Sequence, residues 1–223
     1  MSEEATTCTV TCGPVTLTLH QKPFSLCHGT TVWDAGIILA RYFAEQPSKF
    51  NPTRLRGTRA IDLGSGTGVA GLGLAACGAS VVLTDLPEVV PTLEANMARN
   101  MPHVREVMEL PDGTVSVQPF TWCACVGHDD ASKLEPPFDY ILGADVVYSE
   151  SLVPVLLDTI ASLAGPRTSI VLANEFRCSL VSAAFNEHAK KLFRVKRVPG
   201  KKLPAGFEGC NLLVYELRLK PGK

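Results

Sequence analysis

The residues in this chain whose types and spacing suit chemistry are carboxylates at the ends of apolar runs and a cluster of glycines between two of them. The stretch AIDLGSGTGVAG, residues 60–71, follows an apolar run and places glycine at 64, 66, 68 and 71. A loop of this kind presents backbone N–H groups to a nucleotide-bearing cofactor, and it serves two chemistries: hydride transfer from a dinucleotide and methyl transfer from a sulfonium nucleoside. The spacing separates them. A dinucleotide fingerprint requires G-x-G-x-x-G at the strand-to-helix turn, whereas the loop reads Gly64-Ser65-Gly66-Thr67-Gly68, and Gly71 completes the fingerprint only from Gly66, inside the helix. Asp62 lies in the strand end just before the loop. Beside a pyrophosphate its carboxylate repels; beside the ammonium of a methionine moiety it attracts, directly or through a water it orients. Asp85 ends SVVLTD about 20 residues beyond the loop, where a carboxylate accepts both hydroxyls of a ribose. No Tyr-x-x-x-Lys pair suited to hydride transfer is present. NAD-dependent oxidoreduction therefore ranks last.

The elements that must position these residues alternate. A 223-residue chain with 46% hydrophobic and 19% charged residues has the composition of one sizeable globular domain. A net charge of −1 gives no global reason to expect nucleic acid or an anionic membrane as partner. TCTVTCGPVTLTLHQ predicts two short antiparallel strands turning at Gly13-Pro14. TTVWDAGIILARYFAEQ predicts a helix with Thr30 or Thr31 as N-cap, and PSKFNPTRLRG a polar connector. TRAIDLG, TGVAGLGLAACG and ASVVLTD then read as strand, loop with helix, and strand. A helix starting at Pro91 through TLEANMARN, strand TVSVQPFTW, strand FDYILGAD, helix SLVPVLLDTIASLAG, strand TSIVLAN and helix SLVSAAFNEHAKKLF follow. RVKRVP and NLLVYELRL close the chain as a hairpin. The fold class expected is α/β: a Rossmann-like doubly wound seven-stranded sheet, mostly parallel, with one antiparallel strand near the edge, plus a short N-terminal β segment and helix. Residues 1–50 form a flap and helix packed on a core of residues 51–223, one structural domain in all.

Eight cysteines and an acidic start, MSEEATT, with no basic and apolar leader, are read as a reducing compartment and a cytoplasmic or nuclear protein. Cys123, Cys125 and His128 are too cramped for a zinc site and lack a fourth ligand, so no metal is expected.

With IDLGSGTG and LTD in place, the chain resembles the seven-β-strand S-adenosylmethionine-dependent methyltransferases. TVWDAGIILA ahead of the first core strand, FTW after the third and FDYILGADVVY at the fourth resemble the protein-lysine methyltransferase branch of the methyltransferase-like family, whose D-x-x-Y motif is the most specific piece. The resemblance runs from about Trp33 to Val214. It implies S-adenosyl-L-methionine as cofactor, S-adenosyl-L-homocysteine as product, and a protein bearing the target lysine as partner; branch members act on chaperones, an ATPase, elongation factors and calmodulin. It further implies that Trp33 flanks the cofactor, Gly64, Ser65 and Gly66 wrap its methionine end, and Trp122 and Ala144 border the adenine end and the mouth of the transfer site. Asp85 holds the ribose.

Methyl transfer is an in-line displacement that needs an aligned nucleophile and excluded water. A lysine amine must be neutral to attack, which costs roughly 4 kcal/mol near pH 7 from its ordinary pKa; a neighbouring sulfonium and partial desolvation reduce that cost. Asp145 is expected to orient the incoming amine, and Tyr148 to line the channel and hold the ammonium. Neither is needed as a strong base, because a water chain can take the proton. EPPF, residues 135–138, imitates the N-P-P-F/Y signature of amide and base methyltransferases but precedes the fourth strand instead of following it. Glu175 and Arg177 sit where the family shapes its substrate rim and read equally as a surface ion pair. The basic KKLFRVKRVPGKK reads as protection of an edge strand. A small-molecule N-methyltransferase and an inactive cofactor-binding module are the alternatives, and a monomer is expected.

Overall fold

Alternation along the central strands divides their side chains between two layers. Ala60, Leu142, Val171 and Ala173 belong to one buried cluster, whereas Ile61, Leu63, Ile141, Ile170 and Leu172 belong to another on the opposite face. Strands buried on both faces need helices on both, which the chain supplies.

The computed structural model describes residues 6–222 except 24, 26, 112–113, 123–132 and 208–209. Strands β1 (Thr6–Cys12) and β2 (Val15–Gln21) pair antiparallel as a separate two-stranded sheet. Helices α1 (Asp34–Ala44) and α2 (Pro52–Leu55) precede the core. The core then runs β3 (Arg59–Leu63), α3 (Val69–Ala75), β4 (Ser80–Asp85), α4 (Val90–Met108), β5 (Val115–Pro119) and β6 (Phe138–Ala144). It ends with α5 (Leu152–Leu163), β7 (Ala164–Glu175), α6 (Ser179–Leu192), β8 (Phe193–Arg197) and β9 (Leu212–Leu219). The seven-stranded sheet has the order β5-β4-β3-β6-β7-β9-β8, and only β9 runs antiparallel to its neighbours. This is the expected Rossmann-like doubly wound arrangement. The order reverses between β3 and β6, so their carboxyl ends splay apart and open a crevice.

Three local expectations need correction. Trp33, not a threonine, occupies the N-cap of α1; Thr30 instead closes a preceding 3₁₀ turn, its hydroxyl donating to the Cys27 carbonyl at 2.8 Å. The chain stays extended from Thr31 until the acidic Asp34 opens the helix, where a carboxylate favours the N-terminal dipole. The connector is not wholly polar: Phe50 is buried with its ring 4.9 Å from that of Phe43, and Asn51 caps α2. Helix α4 starts at Val90 and continues through Pro102 to Met108, because buried Met101 and Val104 hold it on the core although Pro102 lacks an N–H. The segment with Cys123, Cys125 and His128 lies outside the described residues.

Two asparagines of α4 tie the hairpin down. Asn100 accepts from the Thr18 N–H at 2.7 Å and donates to the Thr18 carbonyl at 2.9 Å. Asn96 treats His20 in the same way, at 2.8 and 3.0 Å, and its amide also donates to the Thr67 carbonyl at 3.0 Å. One helical turn apart, they supply β2 with the bonds a third strand would give, and fasten helix, hairpin and glycine loop together.

Candidate active site

The glycine loop is held by short polar side chains beneath it. Ser65 donates from its hydroxyl to the Asp62 carbonyl at 2.8 Å and accepts from the Thr84 N–H at 3.0 Å. The Thr84 hydroxyl also donates to the Asp62 carbonyl, at 2.8 Å. These bonds fix the ends of β3 and β4 relative to one another. Gly66 has φ +57°, and a Cβ there would stand 3.0 Å from the Gly29 carbonyl oxygen, so glycine serves both the turn and the close approach of the 3₁₀ segment. Its N–H donates to Asp85 Oδ2 at 2.7 Å. The Leu86 N–H donates to Asp85 Oδ1, also at 2.7 Å. Burial raises the Asp85 carboxyl above its ordinary range, these two N–H bonds work against that, and Glu88 adds to it. With one donor on each oxygen, lone pairs remain for further hydroxyl donors.

A cavity of about 610 Å³ opens above this loop, within the ordinary size for a cofactor site. Trp33, Gly64, Ser65, Gly66, Asp85, Trp122, Ala144, Asp145 and Tyr148 all line it. Trp33 is 38% exposed, its indole N–H donating to the His28 carbonyl at 3.1 Å. Trp122 approaches the loop so closely that a Cβ on Gly64 would lie 3.0 Å from its ring.

Asp62 is the exception. It is fully buried behind the loop and is not on the cavity wall. Its Oδ2 accepts the Gly71 N–H at 2.9 Å, in the first turn of α3. The unpaired N–H groups and the positive end of a helix dipole attract a carboxylate more directly than a ligand across the loop would. Oδ1 has no hydrogen-bond partner among the described residues, and burial pushes the carboxyl up to about 7 against the Gly71 bond. Asp62 thus braces the helix that follows the loop from behind the cavity wall.

Asp145 directly follows β6 and is in the left-handed region, at φ +59°. Its N–H donates to the Ala173 carbonyl of β7 at 2.7 Å, which holds this backbone conformation in place. The carboxylate side chain is 6% exposed and already occupied. Arg177 Nη2 approaches Oδ2 at 2.5 Å, and the Glu175 N–H donates weakly to Oδ1 at 3.3 Å. Arg177 also donates from Nε to Glu175 at 2.9 Å and lies over the Trp33 ring, 5.2 Å from its centroid. Sequence reading placed Glu175 and Arg177 at the rim without joining them to Asp145 or Trp33. It missed Asn174, whose Oδ1 accepts the Val147 N–H at 3.0 Å and holds the segment between Asp145 and Tyr148. Tyr148 is 56% exposed at the mouth. Partial burial and the Asp85 carboxylate raise its hydroxyl above the ordinary value, so it stays protonated at neutral pH.

The walls suit a nucleoside with a charged tail: aromatic faces at Trp33, Phe120 and Trp122, a carboxylate with lone pairs to spare at Asp85, and backbone close enough to touch at the glycines. The family comparison decides between the cofactors that such a site admits. A family model described as lysine methyltransferase matches residues 13–194. The chain belongs to the lysine methyltransferase family. The residues on the cavity wall are suited to S-adenosylmethionine.

Among its relatives, EEF1A lysine methyltransferase 3 of Xenopus tropicalis is 35% identical over 146 residues, 66% of this chain and 57% of the relative. The Mus musculus protein of that name is 32% identical, with 84% and 71% of the two chains covered. Protein N-lysine methyltransferase METTL21A of Danio rerio is 34% identical, covering 66% and 60%. The chain thus spans 57–71% of the length of these relatives. Among solved structures, the Thermus thermophilus 16S rRNA N2 G1207 methyltransferase with AdoMet and guanosine superposes with a TM-score of 0.59 at 18% identity, covering 97% of this chain and 50% of that one. SMU.776, a putative methyltransferase complexed with SAH, gives 0.59 at 12% identity, covering 98% and 57%. These two likenesses establish the fold.

Proposed function

We propose that this lysine methyltransferase methylates a lysine side chain of another protein, with Asp145 and Tyr148 at the point of transfer. The observation that carries the reading is that Asp145 and Tyr148 line the same cavity as the glycine loop and Asp85. When bound there, S-adenosylmethionine supplies an electrophilic methyl group on a sulfonium. Asp85 would accept the ribose hydroxyls while its own backbone donors hold it in place. Gly64, Ser65 and Gly66 follow the methionine end, and Trp33, Trp122 and Ala144 wall the nucleoside and shut out water. Asp145 accepts a hydrogen bond from the incoming ammonium and aims it. The protonated Tyr148 hydroxyl and ring border the channel and limit bulk. The proton leaves the amine for water before attack, since no strong base faces the mouth among the described residues.

EEF1A, named in the relatives, is the acceptor to try first. Residues 6–50 act with the core as one unit, a reading supported by Val10, Leu17, Leu19, Ile38 and Phe43 sharing the buried cluster of β3 and β4. The test is label transfer from S-adenosylmethionine to purified EEF1A by wild type and by Asp145→Asn, with S-adenosylhomocysteine binding followed in parallel. The variant should keep its affinity for the product and lose at least about ten-fold in turnover, the scale of a lost orienting contact. Full turnover in Asp145→Asn removes Asp145 from the mechanism.

A further inference from the structure

A second cavity, of about 300 Å³, adjoins the first and shares with it Thr31, Trp33, Asp145 and Arg177. Its remaining walls include Asp34, Glu175 and Leu212. We propose that this smaller cavity is the port through which the acceptor side chain reaches the cofactor site, and that the Arg177 guanidinium occupies the acceptor ammonium's place until the substrate displaces it. The inference rests on the lysine-methylating reading above and adds to it the route and the residue that guards it.

The chemistry of the port is that of a cation site. Three carboxylates, Asp34, Asp145 and Glu175, face one cation, Arg177. An aromatic face and a carboxylate converging on one point form a place that ammonium and guanidinium groups both favour. Arg177 fills that place: its guanidinium stacks on Trp33 at 5.2 Å and bonds both Asp145 and Glu175. Yet it is not locked in. Its side chain is 40% exposed and springs from the short link between β7 and α6. Asp145, by contrast, is almost inaccessible while the pair is closed. An ammonium arriving through this port bonds Asp145 by taking the guanidinium's position, and the exchange puts one cation in place of another beside that carboxylate.

The exchange also has a chemical point. A guanidinium keeps its proton at any physiological pH, so Arg177 can rest beside the transfer site without becoming an acceptor. Burial works against its charge, but Asp145 and Glu175 outweigh that and raise it further. A lysine ammonium in the same place can release its proton to water and attack.

The experiment follows the Arg177 Nε–Hε resonance by NMR in the protein saturated with S-adenosylhomocysteine, with N-acetyl-lysine methylamide and N-acetyl-norleucine methylamide as probes. The lysine probe should shift that resonance and the isosteric norleucine probe should not. Arg177→Ala and Arg177→Gln, which differ in whether an amide can still reach Asp145, should each bind the lysine probe at least about five-fold more tightly, because a competing occupant reduces apparent affinity by the fraction of time it blocks the place. An Arg177 resonance unmoved by tens of millimolar lysine probe, or binding unchanged or weakened in both variants, overturns the proposal. Because no turnover is read, displacement without methyl transfer to any lysine would refute the proposed function and leave the cation port standing, whereas transfer without displacement would do the reverse.

Discussion

Asp62 and Asp85 end adjacent parallel strands and have opposite tasks. Asp85 lines the cavity with each oxygen held by one backbone donor, and in the proposed function it accepts the ribose hydroxyls. Charge-assisted bonds contribute about 1.5–3 kcal/mol each, so Asp85→Ala should weaken S-adenosylhomocysteine binding by at least about 100-fold in calorimetry. A loss of only a few-fold would mean that the ribose is held elsewhere. Asp62 faces inward, and its carboxyl is pushed up to about 7, mainly by burial. The unfolded value is about 3.9. A raised carboxyl binds its proton more tightly in the folded chain, so its contribution to stability is complete below about pH 4 and is lost as pH rises through 7, at about 1.4 kcal/mol per pH unit. Asp62→Asn keeps an acceptor for the Gly71 N–H without the charge. Denaturant unfolding between about pH 4.5 and 6.5 should show wild type losing ground to Asp62→Asn at close to that slope. A flat difference would show that Asp62 carries its charge throughout and that burial does not dominate its titration.

At the scale of elements, the strands and the glycine loop were legible because their signals are local: β-branched runs, glycine spacing, and a carboxylate at each strand end. The hairpin and the reversed strand near the edge followed from the same patterns, whereas Trp33, Trp122 and Ala144 were named by the family resemblance. What escaped depended on neighbours distant in sequence. Asn96 and Asn100 lie inside a helix, where asparagine reads only as a weak helix former; their role appears once β2 lies alongside α4. Arg177 and Asp145 are 32 residues apart, and they meet because β6 and β7 pair with Ala144 opposite Ala173. The bond from Asp62 to Gly71 was not legible either, since a strand-end carboxylate can serve the ligand or the next helix, and only the approach of α3 reveals the second. Asn96→Ala would leave His20 N–H, His20 C=O and Thr67 C=O without this partner. It should cost about 1–3 kcal/mol in chemical denaturation, and the loss of the Thr67 bond should weaken S-adenosylhomocysteine binding as well. A variant as stable as wild type would show that water replaces the asparagine freely.

For the whole molecule, a sheet of order β5-β4-β3-β6-β7-β9-β8 places its crevice between β3 and β6, and the start of α1, the glycine loop, the ends of β4 and β6, α5 and Arg177 line it. The N-terminal segment is part of that construction: Gly29 meets Gly66 across the loop, Trp33 walls the cavity, and the hairpin is bonded to the helix that supports the loop. The fold alone serves many acceptors. It is the family, together with Asp145 and Tyr148 at the cavity mouth, that points to lysine. The most direct test is transfer of a labelled methyl group from S-adenosylmethionine to proteins of a cell extract, with Asp85→Ala as the control and mass spectrometry on each labelled band. The account predicts label on a lysine side chain of a protein with wild type and none with the variant. Label confined to small molecules, or wild-type protein that binds the cofactor and labels nothing, would contradict it.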